Sequence, residues 1–87
     1  MIMEFKINKE EDFLYLGPNE YEAKAYIMFP KNILGTNTII KVFVSEEYRG
    51  QGLASKMMEY LYQYAKENKI ILDATCSYAK SWLSNVR

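Results

Sequence analysis

The hydrophobic pattern of this chain changes period at Ser45, and that change limits the folds open to it. Before that point Tyr21, Ala23, Ala25, Ile27 and Phe29 alternate with Glu22, Lys24, Tyr26 and Met28. A period of two sends successive side chains to opposite faces of a strand. Pro30 stops that ladder, residues 31–36 form a loop, and Thr38-Ile39-Ile40-Lys41-Val42-Phe43-Val44 predicts a further strand. Beyond Ser45, Leu53, Met57, Tyr60, Leu61, Tyr64 and Ala65 fall on one stripe, while Ser55, Lys56, Glu59, Gln63 and Lys66 supply the other face. This spacing predicts a helix of about four turns that Asn68 ends.

Shorter apolar runs complete the pattern. Met3 to Ile7 and Phe13 to Leu16 predict two strands, the second of which also admits a helical reading because short runs fit either period. Gly17-Pro18-Asn19 forms a turn between them and the alternating segment. Ile70-Ile71-Leu72-Asp73-Ala74 predicts a buried strand, and residues 78–83 a final helix capped by Ser77 and frayed beyond Leu83. Strands followed by a strand-helix-strand crossover and a last helix give an α+β fold. Its mixed sheet is mainly antiparallel, with one parallel pair across a right-handed connection. At 87 residues, residues 1–87 are expected to form a single domain.

Composition removes several classes of function. Cys76 is the only cysteine and there is no histidine, which rules out a disulfide scaffold and the usual zinc or iron-sulfur ligand sets. Glu10, Glu11 and Asp12 read as the solvated start of a turn, so no metal is expected. Eleven basic residues balance 11 acidic ones, giving no support to a nucleic-acid or acidic-membrane partner. Met1-Ile2-Met3-Glu4-Phe5 lacks the features of a secretory signal, and no apolar run is long enough to span a bilayer. A cytoplasmic location is therefore expected. Aromatic residues make 15% of the chain, which fits sheet surfaces and a partly polar cavity better than a plain helical bundle.

The most informative stretch joins the strand to the long helix: Val42-Phe43-Val44-Ser45-Glu46-Glu47-Tyr48-Arg49-Gly50-Gln51-Gly52-Leu53-Ala54. Closely spaced glycines permit a tight turn and close ligand approach, and free N–H groups at a helix start can hold phosphate oxygens. A bare strand-to-helix connection without a ligand fits the same pattern. A nucleotide-binding P-loop does not, because the Gly-Lys-Ser/Thr ending is absent, and the spacing is incomplete for a dinucleotide fold.

Arg49-Gly50-Gln51-Gly52-Leu53-Ala54 resembles the phosphate-cradling motif of the GNAT N-acetyltransferase superfamily: Arg or Gln, two residues, Gly, one residue, then Gly or Ala. It follows a strand similar to the family's fourth and opens a helix similar to its third. The likeness extends to a small YjdJ-type group through Ile71-Leu72-Asp73-Ala74-Thr75-Cys76-Ser77-Tyr78 and Trp82-Leu83, and covers roughly Phe13 to Leu83. The group often carries a His where Lys41 falls and a Pro where Ala74 falls, so a proton relay through that His is absent here.

The resemblance implies that the coenzyme A pyrophosphate is held by Arg49, Gly50, Gln51, Gly52, Leu53 and Ala54, largely through backbone, with Val44 at the end of the adjoining strand. Acetyl-CoA or another short acyl-CoA is then the co-substrate, and the acyl group passes by direct attack of a primary amine whose identity is open. Cys76 and Tyr78 are the candidate catalytic residues, one as an acyl acceptor or site-lining thiol, the other as proton donor to the leaving sulfur. For both there is a plain packing alternative: a small buried thiol and a tyrosine among eight. Glu46 and Glu47 suit either water-mediated proton removal or the positive start of the following helix. Lys41 suits an acidic substrate or solvent, and Trp82 a core anchor. A non-catalytic acyl-CoA sensor and a protein-interaction domain are the alternative functions, and monomer and homodimer both remain open.

Overall fold

Alternation of apolar side chains builds the sheet that organises the molecule. The computed structural model describes residues 4–86. Its strands are β1 (Lys6–Ile7), β2 (Phe13–Leu16), β3 (Ala25–Met28), β4 (Asn37–Ile39), β5 (Lys41–Val44) and β6 (Leu72–Ala74), and its helices α1 (Leu53–Glu67) and α2 (Ser77–Val86). The order β1-β2-β3-β5 forms a four-stranded antiparallel sheet, and β4 pairs with β6 in parallel. This is an α+β fold with a mainly antiparallel sheet, one long helix and a shorter carboxyl-terminal helix. The first strand begins at Lys6. Met3, with the rest of the Met1-Ile2-Met3 segment, lies outside the described residues.

One face of the sheet is the core. Leu14, Ala25, Ile27, Phe29 and Ile39 are fully buried and meet Leu53, Met57, Met58 and Leu61 of α1 and Ala79 and Leu83 of α2. Each Leu, Ile, Met or Phe side chain among them contributes about 1.5–3 kcal/mol by leaving water. The buried stripe of α1 includes Met58, while Tyr60 is 41% exposed at the helix flank. Both helices therefore lie on one side of the sheet.

The strand predicted over residues 38–44 is two strands. A continuous strand that buries Ile39 would also turn Lys41 into the core, two residues on. The chain avoids this with a β-bulge: the Ile40 N–H donates to the Met28 carbonyl at 2.9 Å, while Lys41 is the register partner of Met28. Two residues thus oppose one. Ile40 and Lys41 are both exposed, and Val42 returns to the core side. The alternating segment is also shorter than its pattern. Asn19 Oδ1 accepts the N–H groups of Tyr21 and Glu22, both at 2.9 Å, and this turn leaves Tyr21 96% exposed outside the ladder.

The helix ends differ in detail from the sequence expectation. Cys76 rather than Ser77 precedes α2, its carbonyl accepting the Lys80 N–H at 2.9 Å, and the helix continues to Val86 instead of fraying at Leu83. At the end of α1 the Ile70 N–H donates to the Ala65 carbonyl at 2.8 Å and Lys69 takes φ 57°. This is a Schellman closure with a left-handed residue that is usually glycine.

Candidate active site

The bulge at Ile40 also makes the cleft. β4 and β6 run side by side with Thr38 opposite Asp73 and Ile39 opposite Ala74. Their pairing closes where the Ile39 carbonyl accepts the N–H groups of Thr75 and Cys76, at 3.0 and 3.3 Å. From Ile40 onward the chain pairs with β3, while β6 turns into α2. The strands part, and a cleft of about 380 Å³ opens between β5, the turn that follows it and the first turn of α2. Among its lining residues are Val42, Val44, Arg49, Gly52, Ser55 and Tyr78.

Among the described residues no strand pairs with the β5 edge that faces this cleft. The Ser45 N–H donates to the Lys24 carbonyl at 2.8 Å, and hydrogen bonding alternates along an antiparallel ladder. Phe43 and Lys41 therefore bond toward β3, and Val42 and Val44 turn their N–H and C=O groups to the open side. The Arg49 Nε donates to the Val44 carbonyl at 3.0 Å, which lays the guanidinium across the strand's end.

The turn itself begins with a short 3-10 helix, Glu46–Tyr48. Gly50 and Gly52 then adopt φ 80° and 72°, where side chains with a Cβ are strained. Nothing lies within 4 Å of where a Cβ would project at either glycine. Gly52 caps α1 with no side-chain hydrogen bond, and the first turn holds no acidic residue. The first intrahelical bond runs from the Lys56 N–H to the Gly52 carbonyl at 3.1 Å. By helix geometry the N–H groups of Leu53, Ala54 and Ser55 have no carbonyl partner one turn back, and all three residues line the cleft. Such an end attracts an anion through aligned N–H groups and the helix dipole.

Of the residues singled out from sequence, Val44, Arg49, Gly50, Gly52, Leu53, Ala54 and Tyr78 line one cleft. Gln51 is exposed on the turn and is not among the lining residues. Cys76 is half-buried against the core and also stands outside the lining, two residues before Tyr78. Glu47 pairs with Lys24 at 3.7 Å, and neither Glu46 nor Glu47 lines the cleft. Trp82 packs edge-on against Tyr62 at 5.7 Å and its Nε1 donates to Ser55 Oγ at 3.4 Å, tying α2 to the start of α1. Val42 and Phe43 were read from sequence as the strand entering the glycine turn and Ser55 as the polar face of the helix, none of them as a site residue. Lys41 in an otherwise apolar strand was the available signal for the bulge, and hence for the open edge. Among the described residues no group of three His, Cys, Asp or Glu side chains is placed to hold a metal, and no helix is long and apolar enough to cross a membrane.

A parallel strand pair that splays next to a glycine turn and an uncapped helix start defines a class, and comparison with known proteins agrees with it. Residues 6–86 match the GCN5-related N-acetyl-transferase family. The chain belongs to that family. It is similar to a GCN5-like protein from Staphylococcus aureus solved by NMR, with 31% identity, 95% of this chain and 79% of that chain covered, and a TM-score of 0.72. At the level of fold it is also similar to a ribosomal-protein-alanine N-acetyltransferase from Brucella melitensis biovar Abortus 2308, with 13% identity, 85% and 62% coverage and a TM-score of 0.52. An integron cassette protein from the Cole Harbour Salt Marsh metagenome shares 15% identity over 75% of this chain and 46% of that one, with a TM-score of 0.53. Among curated proteins no sequence matches.

Proposed function

We propose that this protein is an N-acyltransferase of the small YjdJ-type group, moving an acetyl or other short acyl group from coenzyme A to a primary amine. The single observation that carries this reading is the cleft at the parted strands, with a glycine turn and a free helix start at one end and a hydroxyl in its wall. The pyrophosphate fits the turn of Arg49, Gly50, Gln51, Gly52, Leu53 and Ala54. An uncapped first turn without carboxylates favours an anion, and the two glycines leave the approach clear. The amides of the pantetheine arm suit the open edge at Val42 and Val44, where they add as a further strand would.

That arm directs the thioester toward Ile40, between the bulge and the start of α2. The amine nitrogen attacks the acyl carbon, the C–N bond forms, and the C–S bond breaks as the tetrahedral intermediate collapses. The departing sulfur takes a proton from the Tyr78 hydroxyl, the amine gives its proton to water, and water returns a proton to the Tyr78 oxygen. Direct transfer needs no acyl-enzyme, so Cys76 is assigned to packing at the strand end that positions Tyr78. The test is release of free coenzyme A thiol from acetyl-CoA across a panel of primary amines. Amine-dependent release supports the reading; acetyl-CoA binding without release for any amine would instead favour a sensor.

A further inference from the structure

We propose that the sheet face opposite the helices docks the acceptor, and that the acceptor is the N-terminal α-amine of a peptide with aromatic and acidic side chains near that terminus. The inference rests on the acyl-transfer reading above and names its substrate class. Both helices pack on the core face, so a ligand entering from that side meets α1 and α2. Phe43 belongs to the other face, yet it lines both the cleft and a depression of about 430 Å³ shared with Glu22, Lys24, Ser45 and Glu47, whose two carboxylates leave the basic side of the face to Lys6 and Lys41. The cleft and the uncovered face therefore share β5 as a common border, with Lys41 at its bulge end.

That face has a defined chemistry. Lys6, Tyr15, Tyr26 and Phe43 are consecutive register partners across all four strands of the larger sheet. Their side chains share one face, with Phe13 and Lys41 in the adjoining row. The Phe13 and Tyr26 rings stack at 5.1 Å and 29°, and those of Tyr26 and Phe43 at 5.0 Å and 27°. The Lys41 ammonium stands 6.0 Å from the Tyr26 ring centre, one residue from the cleft wall at Val42. Among the described residues Lys6 and Lys41 form no ion pair, whereas Lys24 is paired with Glu47. Two free cations beside a stacked aromatic row complement a ligand with carboxylate and ring groups.

The amine class follows from proton chemistry. The chain has no histidine to remove a proton from the nucleophile. A peptide α-amine is about 10% neutral at pH 7, while a lysine amine is roughly 0.04% neutral. Without an imidazole base, the acceptor that is already neutral has the advantage.

Two measurements on the full chain test this. Isotope-labelled protein without coenzyme A is titrated with a peptide beginning Phe-Glu, and shifts are expected at Tyr15, Tyr26, Phe43 and Lys41. No shift, shifts confined to the outer side of α1, or the same shifts produced by raising the concentration of the chain alone would overturn the docking site. The last result would mean that a second copy covers the face. Thiol release then compares the Phe-Glu peptide with an N-terminally blocked peptide containing lysine. A preference of about 100-fold in kcat/KM for the free α-amine is expected. Lys41→Glu should raise KM for the acidic peptide about tenfold, lower it for a Phe-Lys peptide and leave acetyl-CoA affinity unchanged. Preference for the lysine amine with acetyl-CoA binding intact overturns the acceptor class while leaving acyl transfer standing. Loss of acetyl-CoA binding by the native chain removes acyl transfer instead.

Discussion

Tyr78 stands in the wall of the cleft, whereas Cys76 is half-buried against the core two residues earlier. A proton donor to the departing sulfur acts on kcat and leaves coenzyme A binding alone. Tyr78→Phe should lower kcat about 100-fold with the acetyl-CoA Kd unchanged. Cys76→Ala should keep kcat within about threefold, because a small half-buried thiol packs much as alanine does. A dead Cys76→Ala with intact fold would point to an acyl-cysteine intermediate. Across the molecule, the Tyr64 hydroxyl donates to the Glu11 carboxylate. That hydrogen bond, followed by burial and the Glu11 charge, pushes the Tyr64 pKa up from 10.0 to about 12. The native state thus favours the protonated phenol, so the contribution is complete below about pH 10 and is lost as pH rises toward 12. In an ultraviolet titration, Glu11→Gln should bring the Tyr64 pKa down toward 10, and an unmoved value would place the cause elsewhere.

At the scale of elements, the termination of α1 gives a clean stability test. Lys69 sits in the left-handed region at a Schellman position, so Lys69→Gly should raise stability by about 0.5–1 kcal/mol in denaturant unfolding. A loss of stability would mean that the added freedom of the unfolded glycine outweighs the relieved strain. The same scale shows what was legible beforehand. Ala25 and Ile27, with Phe29 just beyond the strand, announced the core face at β3 because burial follows alternation, and Leu53, Met57 and Leu61 announced the core face of α1. The glycine turn was legible because its spacing demands positive φ values that L side chains resist. The split of residues 38–44 was not, since a bulge depends on the partner strand offering one carbonyl to two residues. Tyr21 misled for a similar reason: its alternation was real, but the Asn19 turn withdrew its N–H from the ladder. Asn37 shows the same dependence on distant chain. It is buried, its Nδ2 donating to the Phe29 carbonyl at 2.8 Å and the Glu11 carbonyl at 3.1 Å, and no local pattern marks it.

For the whole molecule, a sheet that carries helices on one face only among the described residues must support both a core and an open cleft. With no disulfide available, a ligand that bridges β5 to the start of α1 should add to stability. Saturating acetyl-CoA at about 100 times its Kd should stabilise the fold by about 2.7 kcal/mol, read as a rise in Tm. The central claim is that Gly50 and Gly52 leave a clear, anion-binding helix start beside an unpaired strand edge. The most direct measurement is calorimetric titration of acetyl-CoA into the native chain, Gly52→Ala and Gly52→Val, with circular dichroism confirming that each variant is folded. The account predicts that the native chain binds acetyl-CoA one to one, that Gly52→Ala weakens binding, and that Gly52→Val weakens it further, by at least about tenfold. A native chain that takes up no acyl-CoA, or a folded Gly52→Val that binds it undiminished, would contradict the account.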